Sequence, residues 1–164
     1  VAGSPVSYAV SVEGLQEAQY VLRVLDPKLS GKLQSRVRRA ILPIARDAQR
    51  DTGVGLSGIS DGRGGRSSLA EQASAAAAGI KVARGRKGWV VRQTNKTGAI
   101  VEFAANGKTP QGRALVDVLD RHFGPPGRLL WHAADQRRDE VQGQVRDEVE
   151  KTIAEANAQL GRVI

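Results

Sequence analysis

The sequence predicts an α+β fold, and three observations carry that expectation. Residues 6–12 and 80–104 hold short runs with the two-residue period of strands. Residues 28–51 carry apolar side chains at the three- and four-residue spacing of a helix. Residues 129–160 do the same. The expected order is an N-terminal strand, two helices, a small antiparallel β-meander, and a long C-terminal helix packed on the sheet. The 164 residues suit one domain, 1–164.

Val6, Tyr8, Val10 and Val12 alternate with small residues, so 6–12 reads as a half-buried strand. Leu15, Ala18, Leu22 and Leu25 then recur at three and four, which predicts a short helix over 15–25. Asp26-Pro27 ends it and opens the next, since proline suits a first helical turn. Leu29, Leu33, Val37, Ile41, Ile44 and Ala48 form one stripe of that second helix. Pro43 inside it removes a backbone donor and predicts a kink over 39–42.

Six of the sixteen residues in 53–68 are glycine, which predicts a flexible Gly/Ser-rich loop. Ile80 and Val82, then Trp89-Val90-Val91, then Ala99–Phe103 read as three strands, with turns at 84–88 and 95–98. Residues 114–119 read as a short helix, and Gly124-Pro125-Pro126-Gly127 breaks the chain. Val141, Val145, Val149, Ile153, Ala156 and Leu160 mark the stripe of the last helix.

The chain has no cysteine, which excludes disulfides, thiol nucleophiles and thiolate metal sites. Two histidines are too few for a histidine-rich metal site. No cofactor is expected. Gly53-Val54-Gly55-Leu56-Ser57-Gly58 matches the dinucleotide pattern G-x-G-x-x-G, but a basic helix precedes it where the motif needs a strand. His132 and Asp135 stand at i, i+3 without a placed nucleophile, so acid–base catalysis lacks its other half. The reading is that of a non-enzyme. No apolar run reaches the roughly 20 residues that cross a bilayer, and no secretory leader is expected.

The net charge is +8. Its distribution is uneven. Lys28, Lys32, Arg36, Arg38, Arg39, Arg46 and Arg50 oppose only Asp47 and Asp51 on the second helix. The last helix is net acidic, with seven acids against four bases in 133–161. The basic face is expected to meet the acidic helix or an acidic neighbour. The interface expected from this includes Lys32, Arg36, Arg38, Arg39, Arg46 and Arg50. Arg63 and Arg66 in the loop join them. Asp139, Glu140 and Glu148 form the acidic side, and Trp131 is an anchor, because tryptophan is enriched in interfaces.

Four segments now resemble one family in order and spacing. Gly14-Leu15 opens the first helix. Arg39-Ala40 through Asp51-Thr52-Gly53 runs a long helix into a Thr-Gly loop. Val101-Glu102-Phe103 is similar to a strand that usually reads Glu-Phe-Gly. Pro126 through Ala134 is similar to a proline-x-arginine segment entering the last helix. Together they resemble the neck-protein family of long-tailed phages, the gene-product-ten-like head–tail connector and tail-completion proteins. Ala104 departs from the family's glycine, and Leu129 stands where an aromatic is frequent.

The resemblance implies a virion structural protein at the head–tail joint, forming a ring that joins the capsid connector to the tail. It implies other copies of the chain as partners, in a hexamer or else a dodecamer. Head-closure, adaptor, tail-terminator or tail-tube proteins would be neighbours. It implies location in the virion neck, after assembly in the host cytoplasm, near packaged DNA without sequence reading, and with no membrane. Two alternatives remain from the residues: a basic DNA-associated protein, or another ring component such as a tail terminator.

Overall fold

A computed structural model describes residues 6–9, 15–59, 68–85 and 88–161. Helices dominate. The first, α1 (Leu15–Leu25), carries Glu17 in its first turn and Arg23 in its last, each at the end of the helix dipole that favours its sign. Asp26 caps the next helix, its carboxylate accepting from Lys28 N at 2.9 Å and Leu29 N at 3.1 Å. Pro27 occupies the first turn, as its fixed φ allows.

That helix, α2 (Pro27–Ser57), is continuous through Pro43 and runs six residues past the expected end. Every residue of its expected stripe is buried, from Leu29 to Ala48. The overrun corrects the start of the expected loop at 53–68; residues 60–67 lie outside the described residues. Its reason is packing. Leu56 is fully buried, and Gly55 lies against the Phe123 ring, where any side chain would collide. Tertiary contact here overrides the poor helix propensity of glycine.

Two short helices follow, α3 (Ser68–Glu71) and α4 (Ala73–Ala78). The hairpin β2 (Ile80–Gly85) and β3 (Gly88–Gln93) pairs antiparallel, from Ile80↔Gln93 to Gly85↔Gly88. The backbone of β1 (Val6–Ala9) lies antiparallel along the other edge of β3. Residues 10–12 of the expected first strand lie outside the described residues.

The expected third strand of the meander is instead a helix, α5 (Lys96–Phe103). Asn95-Lys96-Thr97-Gly98 is its cap and first turn: the Asn95 side chain accepts from Gly98 N at 3.1 Å. Helical geometry buries Val101 and Glu102 on one face and leaves Ile100 and Phe103 out. The expected short helix at 114–119 is α6 (Pro110–Phe123), capped by Thr109. Gly124 and Gly127 then turn the chain at φ +80° and +92°, which side chains resist.

The long C-terminal helix is split. α7 (Leu130–Gln136) and α8 (Arg138–Leu160) meet at Arg137, whose ψ of 5° interrupts the helix. The stripe also shifts. Thr152 is buried while Ile153 and Leu160 are exposed. α8 lies on α2, and α2 in turn lies on the hairpin, while α7, the first segment of the expected last helix, meets β1 and β3 of the sheet.

Two apolar clusters result. One joins α1, α2, the hairpin, α7 and α8 around Leu33, Ile41 and Ile44. The other joins the end of α2 to α4, α5 and α6 around Leu56, Val101 and Leu119. Gly31 in α2 and Gly143 in α8 meet open space at the position a methyl would take. Gly31→Ala and Gly143→Ala are each expected to stabilise the fold by roughly 0.5–1 kcal/mol. A raised urea midpoint at unchanged m-value checks this.

Candidate functional site

The charged helices that the sequence singles out meet within the fold. Lys32 and Arg36 sit one turn apart on α2 and face α8 of the same chain. Lys32 Nζ lies 2.5 Å from Glu155 Oε2, and Arg36 Nη2 lies 2.7 Å from Glu155 Oε1. Arg36 Nε adds Glu148 Oε2 at 3.3 Å, and Nη1 donates to Thr152 Oγ1 at 2.9 Å. The two helices of opposite sign therefore pair within one molecule. Farther along, Arg137 bonds Asp47 on α2 and reaches Glu140 at 2.8 Å. Asp47 raises the Arg137 pKa, chiefly through that hydrogen bond.

The Glu155 carboxyl is held below its ordinary value, chiefly by the Lys32 hydrogen bond and then by that of Arg36. A depressed carboxylate adds stability above its unfolded pKa, and this is lost as pH falls through the folded one. Acidification below the ordinary glutamate value is thus expected to loosen the α2–α8 seam. The checking measurement is the urea midpoint against pH, whose acid-side drop should shrink in Glu155→Gln.

The other expected interface residues are dispersed. Arg39, Arg46 and Asp139 are exposed. Arg38 lies over the Trp89 ring, 5.7 Å from its centroid. Arg50 pairs with Asp47 and Asp51 on its own helix. Arg63 and Arg66 lie outside the described residues. Trp131, 37% exposed, borders an apolar cavity of about 330 Å³ with Phe103, Pro126, Gly127 and Asp135. His132 meets Gln136, while Asp135 pairs with Arg138. Among the described residues no cluster of acids and histidines could hold a metal ion.

Beneath Trp131 lies a feature absent from the expected interface. Glu102 is 1% exposed and receives the first turn of α7. Its Oε2 accepts from Leu129 N at 3.0 Å and Leu130 N at 2.9 Å, and its Oε1 from Trp131 N at 3.1 Å. A carboxylate there satisfies amides that have no partner inside the helix and faces the positive end of its dipole.

Arg128 completes the clasp. Its guanidinium donates to the carbonyls of Gly124 at 2.7 Å, Val101 at 2.8 Å and Ala104 at 2.8 Å, and to Asp120 Oδ1 at 2.5 Å. Gly127 N donates to Glu102 O at 2.8 Å. Four of the five N–H groups of Arg128 are used, and they tie the end of α5 and the last turn of α6 to the turn before α7. The arrangement can orient a surface; it offers no nucleophile and no free base. The signal for it in the sequence is a charged residue in each of two otherwise apolar segments, Val101–Phe103 and Leu129–Trp131 with its preceding arginine.

No helix among the described residues is long and apolar enough to cross a membrane. Compared with protein-family models, curated proteins and solved structures, the chain matches none of them.

Proposed function

We propose that this chain is a virion structural protein at the joint between a phage head and its tail. In this reading it is a neck or tail-completion component that forms a ring and joins the capsid connector to the tail. The clasp is the observation that carries the proposal. The segments around Glu102 and around Arg128, which both figure in the resemblance to that family, are the two halves of one buried contact, the first of them a helix where the resemblance implies a strand. Segments bonded to each other are one structural unit, so their joint occurrence is a single feature with a purpose: it fixes the half-exposed Trp131 on the surface.

A ring closes through heterologous contacts between unlike patches. Trp131 and Phe103 offer apolar area for one side of such a contact. With Lys32 and Arg36 engaged inside the chain, Arg39 and Arg46 are among the exposed cations that α2 offers a neighbour. The proposal gives the chain no catalytic role.

Quantitative mass spectrometry of purified virus particles, scaled to the capsid protein, tests it. Copy numbers of about six or twelve per particle are expected for a ring on one axis. Absence from the particles overturns the proposal.

A further inference from the structure

At the tip of the hairpin, α1, α2 and β2 enclose a second cleft of about 330 Å³. Gln16, Gln19, Tyr20 and Arg23 of α1 line it, spaced i, i+3, i+4 and i+7 on one helical face. Gln34 of α2 and Arg84 of β2 line the opposite wall, and none of the described residues that line the cleft is a carboxylate. Arg84 Nη1 donates to Gln34 Oε1 at 2.7 Å, which steadies the guanidinium. Arg23 lies over the Tyr20 ring, 5.6 Å from its centroid.

A second arginine–aromatic pair adjoins the cleft. Trp89 is the cross-strand partner of Arg84, and Arg38 covers its ring one turn beyond Gln34. Among the described residues, Arg23, Arg38 and Arg84 form no ion pair, unlike Arg36 and Arg137. Like charges that form no ion pair repel one another, and an entering anion relieves that repulsion.

The combination selects the anion. Guanidinium groups bind phosphate oxygens through paired hydrogen bonds. Exposed tyrosine and arginine planes stack on unpaired bases, and amides bond base edges. We propose that this cleft binds single-stranded nucleic acid, with phosphates on Arg23, Arg38 and Arg84 and a base against Tyr20. A duplex hides its base faces and does not use the ring. The proposal concerns the chain in solution and does not rest on the neck reading.

Fluorescence anisotropy of a labelled oligothymidine of about eight nucleotides, titrated at several salt concentrations, tests it. Binding is expected to weaken steadily with salt. Arg23→Gln with Arg84→Gln should reduce the log–log salt slope by roughly 1.4. Tyr20→Ala should weaken binding roughly 5- to 150-fold with the slope unchanged. Arg113→Gln with Arg146→Gln removes equal charge from α6 and α8 and should change neither. These positions are exposed, so the fold is retained in each variant. The proposal is overturned if low salt gives no binding, or if the control pair weakens binding as much as the cleft pair. Loss of the tyrosine without effect, equal binding of duplex, or displacement by polyglutamate of equal charge also overturns it.

Discussion

Glu102→Ala is expected to lower the unfolding free energy by about 3–5 kcal/mol, the cost of leaving several buried amide donors without their charged acceptor. Three amides at the start of α7 lose their acceptor at once. Water does not replace it, since Leu129 and Leu130 are 2% and 1% exposed. Glu102→Gln keeps one acceptor oxygen but turns an amide donor toward another donor, so it should recover only part of the loss. Urea unfolding at constant m-value gives the number, and a loss below about 1 kcal/mol would mean the clasp is not a stability element. Trp131 fluorescence should shift in the folded variant, because the residue that carries its backbone is no longer held.

The second large effect is expected at Gly98. A methyl there collides with the buried Gln93 amide. That amide cannot simply withdraw. Its Nε2 donates to Ala76 O at 2.9 Å, and its Oε1 accepts from Asn95 N at 2.8 Å. Gly79 leaves no room on the other side. Either two hydrogen bonds break or α5 moves off α4, and both routes cost about 2–4 kcal/mol. Gly98→Ala is therefore expected to destabilise by that amount, although alanine is the better helix former. Gly98→Ala combined with Gln93→Ala should recover part of the loss. Strict additivity of the two would mean that the collision is not what Gly98 avoids.

The apolar periodicity of residues 29–48 was legible because each step of that stripe faces one continuous core. The same device misled at Ile153 and Leu160. There the buried face drifts along α8: Val141 and Val145 point inward as expected, but farther on Thr152 takes the inward position, returning its hydroxyl to Glu148 O at 2.7 Å. Ala99–Phe103 reads as a strand only if Asn95 is taken as a turn residue. Taken as an N-cap, the same four letters open a helix. The basic and acidic helices were legible as complementary, but not that they would meet inside one molecule. The clasp and the cleft were the least legible, because each joins segments far apart in sequence. Glu102 and Arg128 became one unit only through the turn at Gly124 and Gly127. Tyr20 and Trp89 became neighbours of one basic cluster only through the packing of α1 beside the hairpin.

α2 belongs to both apolar clusters, with Leu33, Ile41 and Ile44 in one and Leu56 in the other. At about 1.5 Å per residue, its 31 residues span roughly 46 Å as a single rod. Neither cluster can come apart while that rod stays whole and seated in its neighbour. The amide protons in its middle should accordingly be the last to exchange with solvent deuterium, released only when the entire molecule opens, whereas those of α3 should exchange through small excursions.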